Sequence, residues 1–295
     1  MADNALPKPK PPQGGKRRLD LATIAGIAVA MAGIIGGLLL EKGSIKDVSQ
    51  GTAAMIVLGG TLGAVLVTNP LHIVMRGFRG LADVFFEPAN PFPEAIEQLI
   101  QYAAQARKNG IVSLEAEASR IADPFLRKGI NLAVDGTDLN ELRKMMETDI
   151  ALAEHEAEAQ AKVWESAGGY APTIGIIGAV MGLIQVMKHL EDIKEVGHGI
   201  AVAFVATVYG VGCANIFFLP AANKLKARAR QASLLKEMIL EGVVGIVEGL
   251  NPKLIRAKLD SFTDQPAHAK ATKSEAKAAA PVKGAIQPSP AGGRP

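Results

Sequence analysis

The stretch "PTIGIIGAVMGLI", Pro172 to Ile184, carries no charge and places small residues at Gly175, Gly178, Ala179 and Gly182. Proline and glycine each weaken the interior of a water-soluble helix. A helix in lipid uses small residues differently, because they let neighbouring backbones approach closely. The segment therefore points to a tightly packed membrane helix.

The rest of the chain supports that reading. Of its 295 residues, 48% are hydrophobic but only 4% aromatic, so the apolar mass is Ala, Val, Ile, Leu and Met, with 31 glycines among them. A bilayer core needs roughly 20 mainly apolar residues to cross it. Four runs meet the test: Leu21–Leu40, Thr52–Leu71, Ala167–Met187 and Gly199–Ala222. None contains Asp, Glu, Lys or Arg. The first run is too long for a signal peptide and lacks a convincing cleavage site. The expected fold is an all-α integral membrane protein with four transmembrane helices in two hairpins, whose long helices extend into a cytoplasmic helical region.

Basic residues orient it. Lys16, Arg17 and Arg18 precede the first span, Arg76 and Arg79 follow the second, and Lys224, Lys226, Arg228 and Arg230 follow the fourth. The positive-inside rule places all three sites and both termini in the cytoplasm. The loops "EKGSIKDVSQG" and "KHLEDIKEVGH" have no basic excess and face outward. The domain reading is a disordered N-terminus at 1–19, a first hairpin at 20–72, a cytoplasmic helical region at 73–166, a second hairpin at 167–222, a C-terminal helix at 223–263 and a disordered tail at 264–295. Within 73–166, a helix ends near Gly110 and two short helices flank Asp123-Pro124. Thr137 serves as N-cap of a long charged helix that continues into the third span.

Small residues recur on each span: Gly26, Ala30, Gly33 and Gly37 on the first; Gly168, Pro172, Gly175, Ala179 and Gly182 on the third; Ala203, Thr207, Gly210 and Ala214 on the fourth. On the first span, simple packing explains them. The third and fourth also carry Pro172, Thr173, Thr207, Tyr209 and Asn215, and such a stripe can either line a narrow wet path or bond back to its own helices. A proton path needs a titratable group within the membrane, and these spans offer no carboxylate. Either the chain conducts nothing or a partner supplies the acid. No metal spacing, disulfide framework, phosphate loop or nucleophile–base set appears, so neither an enzyme nor a cofactor is expected; Cys213 is the one cysteine.

Several stretches are familiar together: "DLATIAGI" at Asp20–Ile27, "VLGGTLGAVL" at Val57–Leu66, "APTIGIIGAVMGLI" at Ala171–Ile184, and "AVAFVATVYG" through "LPAANKL" between Ala201 and Leu225. In this order the chain resembles the MotA/PomA family of flagellar stator subunits, over roughly Asp20 to Thr263. The resemblance implies a homo-pentamer around a dimer of a MotB-type partner, whose single span bears the essential aspartate. Ion flow would turn the unit against the flagellar rotor from the bacterial inner membrane. It implies roles for Pro172 at the start of the third span and Pro220 at the end of the fourth. Arg107 and Glu115 in "ARKNGIVSLE" match the charged pair that engages the rotor, although spacing alone would read them as solvated charges. Sodium-driven relatives carry a threonine where this chain has Ala179, while Thr207 matches the other hydroxyl; the implied ion is the proton. The wording of "DLATIAGI" leans instead toward the PomA branch and sodium. Other readings are a TolQ/ExbB-like energiser, typically with three spans, and a non-conducting membrane scaffold.

Overall fold

The computed structural model describes residues 18–87 and 90–263. The expectations for Met1–Gly15 and for the tail from Asp264 lie outside the described residues. The fold is helical apart from a two-residue antiparallel pairing of β1 (Arg18–Leu19) with β2 (Phe86–Glu87), in register Arg18↔Glu87 and Leu19↔Phe86.

Four helical stretches are long and apolar enough to cross a membrane. The first, α1 (Leu21–Leu40), starts at Asp20, whose carboxylate accepts from the Thr23 N–H at 3.0 Å. None of its residues is buried within the chain. The chain turns away after it at Lys42, with φ of 61°, and the Gly43 N–H returns to the Leu38 carbonyl at 2.9 Å. A short 3₁₀ turn at Ile45–Val48 follows, capped reciprocally by Ser44 and Asp47.

The second span combines α2 (Gly51–Ala54), a π-turn at Met55–Gly59 and α3 (Gly60–Thr68). It stops at Thr68, short of the expected Leu71. Pro70 pushes Asn69 into an extended conformation, with φ −123° and ψ 142°. The chain then re-enters a helix as α4 (Leu71–Phe85).

A helical unit between the two apolar hairpins is made by α5 (Phe92–Asn109), α6 (Glu115–Ala118), α7 (Pro124–Val134) and the start of α8 (Leu139–Lys188). Gly110 ends α5 at φ +82°, a conformation that favours glycine. Asp123 caps α7 through the N–H groups of Phe125 and Leu126. The long helix α8 is capped by Asp138, not Thr137: the Asp138 carboxylate accepts from Asn140 and Glu141, and its own backbone is the last that is non-helical. Helix α8 runs 50 residues without a break from this unit through the third span.

The fourth span is α9 (Ile193–Gly212), continued by a π-turn at Cys213–Phe218 into α10 (Leu219–Val247). Pro220 therefore sits within a continuous helical stretch, and the helix runs on past the apolar run as expected. A proline in the first turn of α10 has no N–H to offer the preceding turn, and the wider π-turn just before it lets the helix pass. After a reversal at Gly249, φ +69°, α11 (Pro252–Thr263) folds back.

The largest core is built among α5, α7, the start of α8, the end of α10 and α11. Leu99, Leu126, Ile130, Leu142, Met146, Met238, Val243, Ile255 and Leu259 are almost wholly buried there. The Arg256 guanidinium grips the Glu97 carboxylate in two bonds of 2.7 and 2.8 Å, fastening α11 to α5 and holding that carboxyl below the usual range. The α8–α10 pair thus joins this unit to the membrane spans.

Candidate functional site

Helices α8 and α9 meet at backbone distance. A methyl carbon on Gly175 would stand 2.9 Å from the Ala206 carbonyl oxygen, on Gly182 2.7 Å from that of Gly199, and on Gly210 2.5 Å from that of Ala171. No other side chain fits there. The buried stripe of α8 is Gly168, Ala171, Gly175, Gly178 and Gly182. Pro172 and Ala179, placed on that stripe from the sequence, are only half-buried and stand beside it. Spacings of four and three suit both sets, so only packing distinguishes them.

Pro172 and Ala179 stand two turns apart on α8 beside this contact, and Thr207 of α9 is half-buried opposite Gly175, between their levels. Gly175 lies between the first two along α8, and a methyl there would be 3.4 Å from the Thr207 Cα. Pro172 sits inside an unbroken helix and leaves the Gly168 carbonyl without an intrahelical N–H. The Thr173 hydroxyl donates to the Tyr170 carbonyl at 2.8 Å, the Thr207 hydroxyl to Ala203 at 3.3 Å, and the Asn215 amide to Val211 at 2.9 Å. Within the chain, then, these polar groups bond back to their own helices. Past them runs an exposed apolar face, with Ile176, Val180 and Leu183 on α8 and Phe204, Val208 and Val211 on α9.

Tyr209 lies apart from that group. Its hydroxyl donates to the Val48 carbonyl at 2.5 Å and accepts from the Gln50 N–H at 3.3 Å, which ties the loop between the first two spans to α9. Pro220 is exposed and lines a cavity of about 350 Å³ between α1 and the fourth span, with Gly26, Ala30 and Asn215. Arg107 and Glu115 are exposed on either side of the Gly110 turn. That turn is braced by the Ser113 hydroxyl on the Gly110 carbonyl, 2.7 Å, and by the Gln105 amide on the Ser113 carbonyl, 3.0 Å. Among the described residues, neither Arg107 nor Glu115 enters an ion pair.

Two features were not foreseen. Asp20 is buried where α1 begins, ion-paired with Lys224 and, at 3.3 Å, with Arg228 of α10. The Lys224 ammonium first, and then the Thr23 N–H, hold its carboxyl down to about 2. The other is an aromatic knot around Trp164 of α8, whose indole N–H donates to the Gly77 carbonyl at 3.0 Å. Its ring meets Phe78 at 5.0 Å, Phe217 at 5.9 Å and Phe218 at 6.0 Å. The sequence signals were an acid directly before an apolar run and a sole tryptophan, but neither names its partners.

Residues 24–110 match the model of the motility protein A N-terminal family, and residues 117–238 that of the MotA/TolQ/ExbB proton channel family. Motility protein A of Helicobacter pylori is 35% identical over 244 residues, 83% of this chain and 95% of that protein. The chain belongs to the motility protein A family. As a motility protein A homologue it is a subunit of a flagellar motor stator and a membrane protein. Chemotaxis protein PomA of Vibrio alginolyticus is 32% identical over 247 residues, covering 84% of this chain and 96% of PomA. The solved structure of C. jejuni MotAB superposes with a TM-score of 0.79 at 33% identity, covering 84% of this chain and 98% of that one. Similarity to PomA is thus no greater than similarity to a motility protein A.

Proposed function

We propose that this chain conducts protons together with a MotB-type partner whose single span brings the missing carboxylate, and that the flow turns a ring of its copies against the flagellar rotor. The observation that carries the reading is the flank of the α8–α9 pair. Pro172, Ala179 and Thr207 border an apolar face that is exposed in the single chain, and none of the four apolar runs, Leu21–Leu40, Thr52–Leu71, Ala167–Met187 and Gly199–Ala222, holds an acid or a base. A proton cannot cross such a surface alone, and an exposed apolar face beside a wet path calls for a second helix. The matched C. jejuni structure is of MotAB, which supports a MotB-type partner here.

The setting is the bacterial inner membrane, multi-pass, with both termini in the cytoplasm. Arg76, Arg79, Lys224, Lys226, Arg228 and Arg230 all follow the inward-going spans in this orientation. Arg107 and Glu115, exposed and without an ion pair, form the rotor contact, since complementary charges steer and register such encounters. The ring is a homo-pentamer.

Co-expression with the cell's one-span, aspartate-bearing protein tests this directly. The two should co-purify, and vesicles holding both should pass protons when a gradient is imposed. Replacing the partner's aspartate by asparagine should stop the flow with assembly intact, and Pro172→Leu should do the same to rotation. A chain that purifies alone and supports motility without such a partner refutes the reading.

A further inference from the structure

We infer that the cavity between α1 and the fourth span holds one acyl chain of an acidic phospholipid, bound there apart from the freely exchanging bilayer. Its walls run the depth of a single leaflet. One extends from Ala22 to Ala30 of α1, the other from Lys224 of α10 back to Asn215 of the π-turn. Each rises about 12–14 Å along its helix, close to half of a hydrocarbon core about 30 Å thick. The end near the membrane surface is closed by protein. Val84 lies there, its carbonyl accepting from the Thr23 hydroxyl at 3.4 Å, and Lys224 holds Asp20 across the gap. Deeper in the bilayer α1 buries none of its residues, and a methyl added at Gly26 would meet no atom within 4 Å.

The lining selects an apolar occupant. Inside a protein, a water needs roughly two to four polar partners. The polar side chains at this cavity are Thr23, Asn215 and Lys224, and each is already bonded within the chain. Thr23 engages Val84 and Lys224, the Asn215 amide donates to the Val211 carbonyl at 2.9 Å, and Lys224 pairs with Asp20. Ile27, Ile216, Phe217 and Pro220 supply apolar surface between them. Left empty, such a void forfeits the dispersion contacts of all its walls.

Size selects among apolar occupants. A helix is about 10 Å across, so less than one turn of a helix from a second copy would fill about 350 Å³. An acyl chain is thin and flexible, and every leaflet offers one at this depth. Charge then selects the headgroup. Lys224 and Arg228 share the single carboxylate of Asp20, and two cations against one anion leave a positive excess beside the mouth. An acidic phospholipid supplies the counter-charge.

The test uses the full chain in its purified complex, in nanodiscs containing phosphatidylglycerol or phosphatidylcholine with a photoreactive diazirine on the acyl chain. After irradiation, mass spectrometry locates the lipid adducts. They should form on Ile27 and Phe217, which face each other across the cavity, and on Ile24, exposed on another face of α1. Gly26→Leu fills the cavity from a position with open space around it. It should cut the Ile27 and Phe217 adducts at least about fivefold, because occupancy rests on van der Waals contact alone, and leave the Ile24 adduct unchanged. Ala30→Leu should do the same if Gly26→Leu lowers the yield of complex. The phosphatidylglycerol probe should label both walls more than the phosphatidylcholine probe does. Walls that take no adduct in the wild type are covered by protein, a side chain of a second copy included, and that result overturns the inference. Wall adducts that persist in both filling variants come from passing bilayer lipid and overturn it equally. Equal labelling by the two probes removes the acidic headgroup.

Discussion

The carboxylate of Asp20, one residue before the first span, lies 3.3 Å from the guanidinium of Arg228, ten residues past the end of the π-turn in the fourth span. With the Lys224 ammonium on the same oxygen, this bond closes the chain between its first and last membrane helices. Since α1 buries no residue within the chain, its attachment depends heavily on this one end.

The bond predicts a pH signature. The folded-state pKa of Asp20, about 2, lies below the ordinary 3.8. Its stabilisation is therefore complete above about pH 4 and is lost as pH falls through about 2. Asp20→Asn should lower stability by about 1–3 kcal/mol at neutral pH, because Lys224 and Arg228 lose their acceptor. Thermal unfolding of the purified protein between pH 2 and 7 checks this. The variant should show less loss below pH 4 than the wild type, and parallel curves would show that Asp20 contributes nothing.

Close packing of α8 on α9 gives a second expectation. Gly175→Val puts methyl groups where the Ala206 carbonyl already stands. Overpacking of this kind costs roughly 1–3 kcal/mol, and the complex should assemble poorly. Gly169→Ala on the same helix meets nothing within 4 Å and should be neutral or slightly stabilising. Membrane yield and melting midpoint of the two variants separate the cases; equal behaviour would mean that the helices part readily.

Much of this arrangement could be read without coordinates, and the reasons it stopped where it did are physical. Uncharged runs the length of a bilayer identify spans whatever they pack against, so the four were plain. Their ends were less so. The Asn69-Pro70 pair is a local stop signal that hydropathy hides, since Leu71 continues the apolar run. Pro220 marks the end of an apolar run without ending the helix, and the π-turn that accommodates it has no signature in the sequence. Thr137 and Asp138 are adjacent cap formers, and only the backbone decides between them. Asp20 and Lys224 are 204 residues apart, and no periodicity in a single sequence links them. The flank formed by Pro172, Ala179 and Thr207 was assembled by resemblance, because spacing alone could not separate it from the glycine stripe next to it.

Rotor contact yields a third prediction. Arg107 and Glu115 are exposed and unpaired on a turn braced by Gln105 and Ser113. Reversing either charge should leave folding within about 0.5 kcal/mol of wild type, as for surface sites generally. Swimming should nevertheless fall sharply for Arg107→Glu, and a compensating reversal on the rotor protein should restore part of it. Full torque with both charges reversed and an unaltered rotor would remove these residues from the contact.

The last prediction concerns the ion. A sodium ion stripped of water needs several oxygen ligands, since an unpaired charge in a dry site is very costly. A proton needs a carboxylate and a chain of water. Ala179 offers no oxygen, and it shares a face of α8 with Pro172, two turns away. The Thr207 hydroxyl nearby is already donating to the Ala203 carbonyl, which leaves its lone pairs as the one side-chain oxygen of this group facing the flank. One hydroxyl cannot replace a hydration shell, and the proton is therefore the ion we propose. Motility should persist in sodium-free medium and collapse on addition of a protonophore. Ala179→Thr should not by itself confer sodium use, because two side-chain hydroxyls still fall short of the several oxygen ligands a dehydrated sodium ion needs. Swimming speed that tracks external sodium and outlasts the proton gradient would reverse the assignment, and would require oxygen ligands from the partner in place of those this helix lacks.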